Sequence, residues 1–314
     1  MQFWSIILDS LRESRDRKIF WLLIGITLLI ALTMLSVGFE SDRVTFLFGL
    51  WSTETGHYNP ETDFGRSAIL SITVYLILSL ILGWVGIILM LVATAGMIPA
   101  MMERGQIDVM LGKPIRRARL FLYKYLAGMV FVVIQATVFV GLTFAVMGLR
   151  WGVWAPGYLL AIPLLVLLFS YLYCVSALVG VTTRSTIAAI LVSMAAWFVF
   201  TTPKTALDTF ESFPDLKEHE RIYRTLQVCA WIPPKTWDVP YLAAKWAGAG
   251  LSMDMIPQID EATTSGPGGP DAAQLRRLEQ KQLEVNAVTS IGSSLLFEGL
   301  VVCLAVWRFS RRDF

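Results

Sequence analysis

The sequence predicts an all-α polytopic membrane protein. It has six transmembrane helices, an N-terminal interfacial helix and a large insertion between helices five and six. Three observations carry this. Hydrophobic residues make up 55% of the 314-residue chain and charged residues 16%, against about a quarter charged in a soluble domain. Six apolar runs approach or exceed the roughly 20 residues that a bilayer-spanning helix needs. Lysines and arginines also collect on alternate connections between these runs. A net charge of only +2 gives no electrostatic case for nucleic acid, so the lipid bilayer is the partner that composition implies.

Residues 1–18 open the chain. Phe3, Trp4, Ile6, Ile7, Leu8 and Leu11 alternate with Asp9, Arg12, Glu13 and Arg15 at roughly helical spacing, the pattern of a helix lying along a membrane surface. Residues 19–37 form the first span. Its length and the acidic Asp9, Glu13 and Asp16 ahead of it distinguish it from a cleaved signal peptide, so a retained anchor is expected. Residues 38–67 read as a solvated outer loop, and the acids around His57 follow no metal-ligand spacing. The second span, residues 68–98, is longer than the membrane requires, which calls for tilt or a helical extension beyond the bilayer.

The loop over residues 102–125 is the most informative stretch. Ile107, Met110 and Leu111 fall at i, i+3 and i+4 among Glu103, Arg104, Gln106 and Asp108, giving a short amphipathic helix. Gly112 can end it in a left-handed cap and Pro114 prevents its continuation. Arg116, Arg117 and Arg119 then open the helix that becomes the third span, residues 126–147. A small apolar face presented to water invites a groove on a partner.

The fourth and fifth spans, residues 158–182 and 186–201, are joined by a tight turn carrying Arg184. Residues 202–287 form the outer insertion. A charged, partly helical segment comes first, then a Trp- and Pro-rich stretch around Val228 to Trp246 suited to a membrane interface. A flexible TTSGPGGP linker follows, and then a helix with Leu275, Leu278 and Leu283 leading to the last span, residues 288–307. Positive charges before span one, in the loop 102–125, at Arg184 and at Arg308, Arg311 and Arg312 place both termini in the cytoplasm. Cys174 and Cys303 lie in apolar runs and Cys229 in the long polar loop, so no disulfide framework is expected.

Glu298 is the one clearly mid-span ionisable residue. With Ser290 and Ser294 at four-residue steps it puts a polar stripe on span six that should face the helix bundle. Gln135 in span three is the expected hydrogen-bond partner. Two roles stay open for Glu298: a place on a transport path or dimer seam, or a protonated carboxyl that holds helices together. No second intramembrane carboxylate accompanies it, and His57 and His219 fall in outer loops, so an intramembrane hydrolase lacks its paired groups. KEHE at 217–220 lacks the His-Glu-x-x-His of a zinc peptidase, and no G-x-x-x-x-G-K-[ST] phosphate cradle occurs. Neither a cofactor nor a metal nor an enzymatic activity is expected.

The run ERGQIDVMLGKPIRRARLFLYKYLAG resembles the signature of type 2 ABC exporter permeases. It has an acidic-basic-Gly start, an apolar helix, a Lys-Pro-x-x-Arg turn and then Lys-Tyr-x-x-Gly. LRESRDRKIFWLL is similar to that family's opening and WRFSRRDF to its tail, so the likeness spans the chain in outline, with the central loop as its specific motif. The resemblance implies a permease subunit of the inner membrane that forms an export path as a homo- or heterodimer, with spans two and five at the dimer seam. It also implies a separate ABC ATPase subunit engaged through Glu103, Arg104, Ile107, Met110, Leu111, Lys113, Pro114 and Arg117. The alternative is a non-transporting scaffold or regulatory subunit of a membrane complex.

Overall fold

The computed structural model describes residues 18–39, 43–54, 69, 73, 85–102, 116–212, 220–231, 233–236, 238–247 and 286–311. The interfacial helix expected before residue 18, the coupling loop over 103–115, most of residues 68–84 and the linker and helix over 248–285 lie outside the described residues. The chain is helical, and among the described residues five helices are long and apolar enough to cross a membrane, as in a polytopic membrane protein.

These are α1 (Lys18–Ser36), α4 (Arg117–Trp151), α5 (Ala161–Thr183), α6 (Thr186–Ser212) and α9 (Ala287–Ser310). Between α1 and α4 lie α2 (Ile87–Ala95) and α3 (Met97–Met101), the described end of the expected second span. Two amphipathic helices, α7 (Glu220–Trp231) and α8 (Asp238–Ala247), fall inside the expected outer insertion. Cys229, expected in a loop, sits exposed on α7.

The helices exceed the apolar cores read from the sequence because polar backbone demand does not end where hydrophobicity does. At a rise of about 1.5 Å per residue, the 35-residue α4 is far longer than the roughly 30 Å hydrocarbon layer. Its N-terminal turns carry Arg117, Arg119 and Lys124, and Lys124 is buried rather than displayed in a loop. Gly152 stops α4 at φ +68°, donating its N–H to Met147 O in a left-handed cap. Arg184 performs the same turn after α5 at φ +58°, with its N–H on Gly180 O at 3.0 Å. That turn lets α6 return directly along α5. In α6, Pro203 lies inside the helix, which nevertheless continues to Ser212, past the expected boundary at residue 201.

α5 is the central element. Of its apolar window 72% is buried, against 11% for α9 and 22% for α6, so those two present most of their surface outward. α5 packs against α4, α6 and α9 as well as α2, while α1 leans mainly on α4. In lipid no hydrophobic force separates helix from surroundings, so close backbone approach and polar contacts must select the neighbours. Two glycines show this. A Cβ on Gly180 would lie 3.3 Å from the Pro99 ring, and one on Gly128 would collide with the Tyr173 hydroxyl and come within 2.8 Å of its Cζ.

The segment after α1, expected as a solvated loop, contains a three-stranded antiparallel sheet. Its strands are β1 (Gly38–Phe39), β2 (Arg43–Phe46) and β3 (Trp51–Glu54), with Gly38 paired to Thr45 and Phe46 to Trp51. The sheet is tied to the end of α4. Trp151 Nε1 donates to Val37 O at 2.8 Å and its ring meets Phe39 edge-on at 5.1 Å. The strands are too short for a clear period-two signal, and their turn uses Leu47, Phe48 and Gly49 at positive φ, with no Asn-Gly marker.

Candidate functional site

The polar stripe expected on the last span is present, and each of its members meets a different element. Ser290, Ser294 and Glu298 follow one another at four-residue steps along α9, on the side turned toward α5 and α8. Ser290 Oγ donates to Asp238 Oδ2 at 2.5 Å, fixing the N-terminus of α8. Ser294, fully buried, accepts the Lys235 backbone N–H at 2.9 Å and donates to Ser290 O at 2.8 Å. Its single proton is thus used within α9 and its oxygen holds the loop before α8.

Glu298 sits one turn further along, half-buried. The Tyr125 hydroxyl of α4 donates to Oε1 at 2.9 Å, and Ser170 Oγ of α5 lies 2.7 Å from Oε2. Ser170 is also 2.8 Å from Leu167 O. A serine has a single proton, and two acceptors compete for it. The Ser170 hydroxyl donates to Oε2, with Leu167 O as its alternative acceptor. Glu298 thereby joins α9 to α4 and α5 together. Its hydrogen-bonded neighbours are hydroxyls, and no second carboxylate or imidazole bonds it among the described residues.

The expected partner, Gln135, is not used. Gln135 lies ten residues after Tyr125 on the same helix, roughly 15 Å further along the axis. Its Nε2 donates instead to Thr27 Oγ1 of α1 at 3.3 Å. Gln135 thus belongs to the α1–α4 contact, and the stripe ends at Glu298. Tyr125 was missed because a tyrosine near the start of an apolar helix reads as an interfacial aromatic. Its neighbour Lys124 gave it the same colouring.

Aromatic packing aims Tyr125 at the carboxyl. Its ring stacks on Tyr173 at 4.9 Å and on Phe121 at 6.4 Å, while Tyr173 stacks on Phe169 at 5.1 Å. Phe121 reaches Phe309 near the other end of α9 at 5.7 Å. Tyr173 is fully buried and its hydroxyl has no hydrogen-bond partner among the described residues. It occupies the space that the missing side chain of Gly128 leaves open. Tyr125 and Gly128 are the tyrosine and the glycine of the Lys-Tyr-x-x-Gly segment. Both are contact positions: one bonds across to α9 and the other admits α5.

Of the residues expected to engage an ATPase, Arg117 is half-buried at the first position of α4. Glu103, Arg104, Ile107, Met110, Leu111, Lys113 and Pro114 lie outside the described residues. No protein-family model matches the chain, and a search of curated proteins finds no match.

Proposed function

We propose that this chain is the transmembrane permease subunit of an ATP-driven ABC exporter, working as a dimer and coupled to a separate ATPase. The observation that carries the reading is the run from Glu103 to Gly128, whose last segment makes cross-helix contacts through Tyr125 and Gly128. A docking loop at 103–115 would continue into a single unbroken helix, α4. Any displacement of that loop would be carried by α4 to α5 through Tyr173 and to α9 through Glu298. In this reading the chain hydrolyses nothing itself. Both termini face the cytoplasm of an inner membrane, and the insertion 202–287 lies outside.

The test is copurification of the full chain with a P-loop ATPase and ATP-dependent solute movement in vesicles. Met110→Asp with Leu111→Asp places charge on the docking face, and burying unpaired charge costs several kcal/mol. The pair of substitutions should remove the ATPase and leave membrane insertion intact. Retention of the ATPase at normal yield would refute this docking face. ATPase binding without any ATP-dependent solute movement would favour a non-transporting scaffold.

A further inference from the structure

A cavity of about 660 Å³ opens where α6 ends and α8 meets the start of α9, within the roughly 300–1,000 Å³ range of small-molecule sites. Its wall has two characters. Phe200 and Leu207 of α6 and Trp231 of α7 form an apolar side, and Phe200 is held edge-on against Phe297 of α9 at 5.6 Å. Lys204, Lys235, Thr236 and Asp238 form a polar side. Thr236 is 4% exposed and its hydroxyl has no hydrogen-bond partner among the described residues. A buried hydroxyl without a partner carries a desolvation cost that a bound polar group would remove.

The charges favour an anion. Asp238 is already engaged by Ser290. Lys235 Nζ stands over the Trp231 ring at 5.6 Å from its centroid, and neither Lys235 nor Lys204 forms an ion pair among the described residues. Among the described residues, two ammonium groups against one occupied carboxylate, beside an orphan hydroxyl donor and an aromatic–aliphatic wall, suit a molecule with an acidic head and an alkyl chain. The loop that carries Lys235 and Thr236 is itself fixed to α9, since the Lys235 N–H is bonded to Ser294.

We propose that this cavity is a binding site for an anionic amphiphile. The acidic head lies between Lys204 and Lys235 and accepts a hydrogen bond from Thr236, and the chain runs along Phe200, Leu207 and Trp231. An acidic lysophospholipid and a free fatty acid share this chemistry. The site stands on its own geometry and does not depend on the transport reading.

Native mass spectrometry of the full chain in a neutral maltoside detergent tests it, using lysophosphatidylglycerol, lysophosphatidylcholine of the same chain length, laurate and inorganic phosphate as probes. Saturable binding of lysophosphatidylglycerol at least about tenfold tighter than the choline form is expected, equivalent to about 1.4 kcal/mol. Laurate competing with it shows that a carboxylate head serves. Failure of laurate to compete confines the site to phosphate heads, and either result keeps the assignment. Lys204→Gln and Lys235→Gln, singly and together, should lower the preference stepwise. Thr236→Val should weaken binding severalfold without lowering the melting temperature. Equal binding of the two lysolipids, or an unchanged preference in folded lysine variants, overturns the proposal. So does competition by inorganic phosphate as strong as by lysophosphatidylglycerol.

Discussion

Replacing Glu298 tests the seam most directly, because the hydrogen-bond count around it separates two substitutions of similar size. In Glu298→Gln the amide oxygen can still accept from Tyr125, and the amide N–H can donate to Ser170, which turns its own proton to Leu167 O. Its cost should stay below about 1 kcal/mol. Glu298→Leu removes both acceptors, with unequal consequences. Ser170 falls back on Leu167 O at 2.8 Å. Tyr125 is 6% exposed and would be left holding a buried hydroxyl without an acceptor. That single orphan sets the magnitude, about 1–2 kcal/mol for an interhelical hydrogen bond in a membrane protein. Tyr125→Phe in the Glu298→Leu background should recover most of the loss by removing the orphan, while Tyr125→Phe alone should be destabilising. Reversible unfolding in mixed micelles measures the parent and all four variants, and the Leu and Phe proteins close the cycle. Destabilisation by Gln equal to that by Leu, or no recovery in the double variant, would refute the count. Vesicle transport by Glu298→Gln is expected to persist. A stable Gln variant that no longer transports would instead show that the proton itself is used.

Further expectations follow from the same contacts. Gly128→Ala drives a methyl into the Tyr173 ring, with Cζ only 2.8 Å from the new carbon, and overpacking of this kind costs about 1–3 kcal/mol. Tyr173→Phe deletes a hydroxyl that has no partner among the described residues. It should melt no lower than the parent and should partly rescue Gly128→Ala in the same unfolding assay. Trp151→Phe loses the 2.8 Å bond to Val37 O, worth about 1 kcal/mol, and should raise hydrogen exchange across residues 38–54 more than elsewhere. Cysteines placed at Lys113 and Arg312 should be protected from a membrane-impermeant reagent in intact cells and those at Glu61 and Pro267 labelled. External labelling at residue 113 would reverse the orientation and remove the docking proposal with it.

Much of the architecture was legible because lipid simplifies the code. A spanning helix must satisfy its own backbone hydrogen bonds, so long apolar runs such as those in α1, α5 and α9 announce themselves by length alone. The polar stripe was legible for a related reason. Ser290, Ser294 and Glu298 stand out against Leu295, Leu296 and Leu300, and the four-residue step assigns them one face whatever the neighbours are. The β-sheet at 38–54 and the full extents of α4 and α6 were not legible. Strands of two to four residues leave almost no pattern, and a helix may outrun its hydrophobic core wherever capping and packing permit.

The sequence by itself determined that the chain is a helical membrane protein, where its long helices lie, and which face of the last one is polar. These are local properties, set by composition and by the fixed periodicity of the helix. It could not determine partners. Gln135 and Tyr125 are both polar residues on α4, and nothing in their local context says which of them faces Glu298. The rotation of α4 and its depth against α5 and α9 decide that. Close approach at Gly128 and the aromatic column from Phe169 through Tyr173 and Tyr125 to Phe121 set that rotation. The cavity at Lys204 and Lys235 is tertiary in the same sense, since residues 31 positions apart share a wall only after α8 has been fixed to α9 through Asp238 and Ser290.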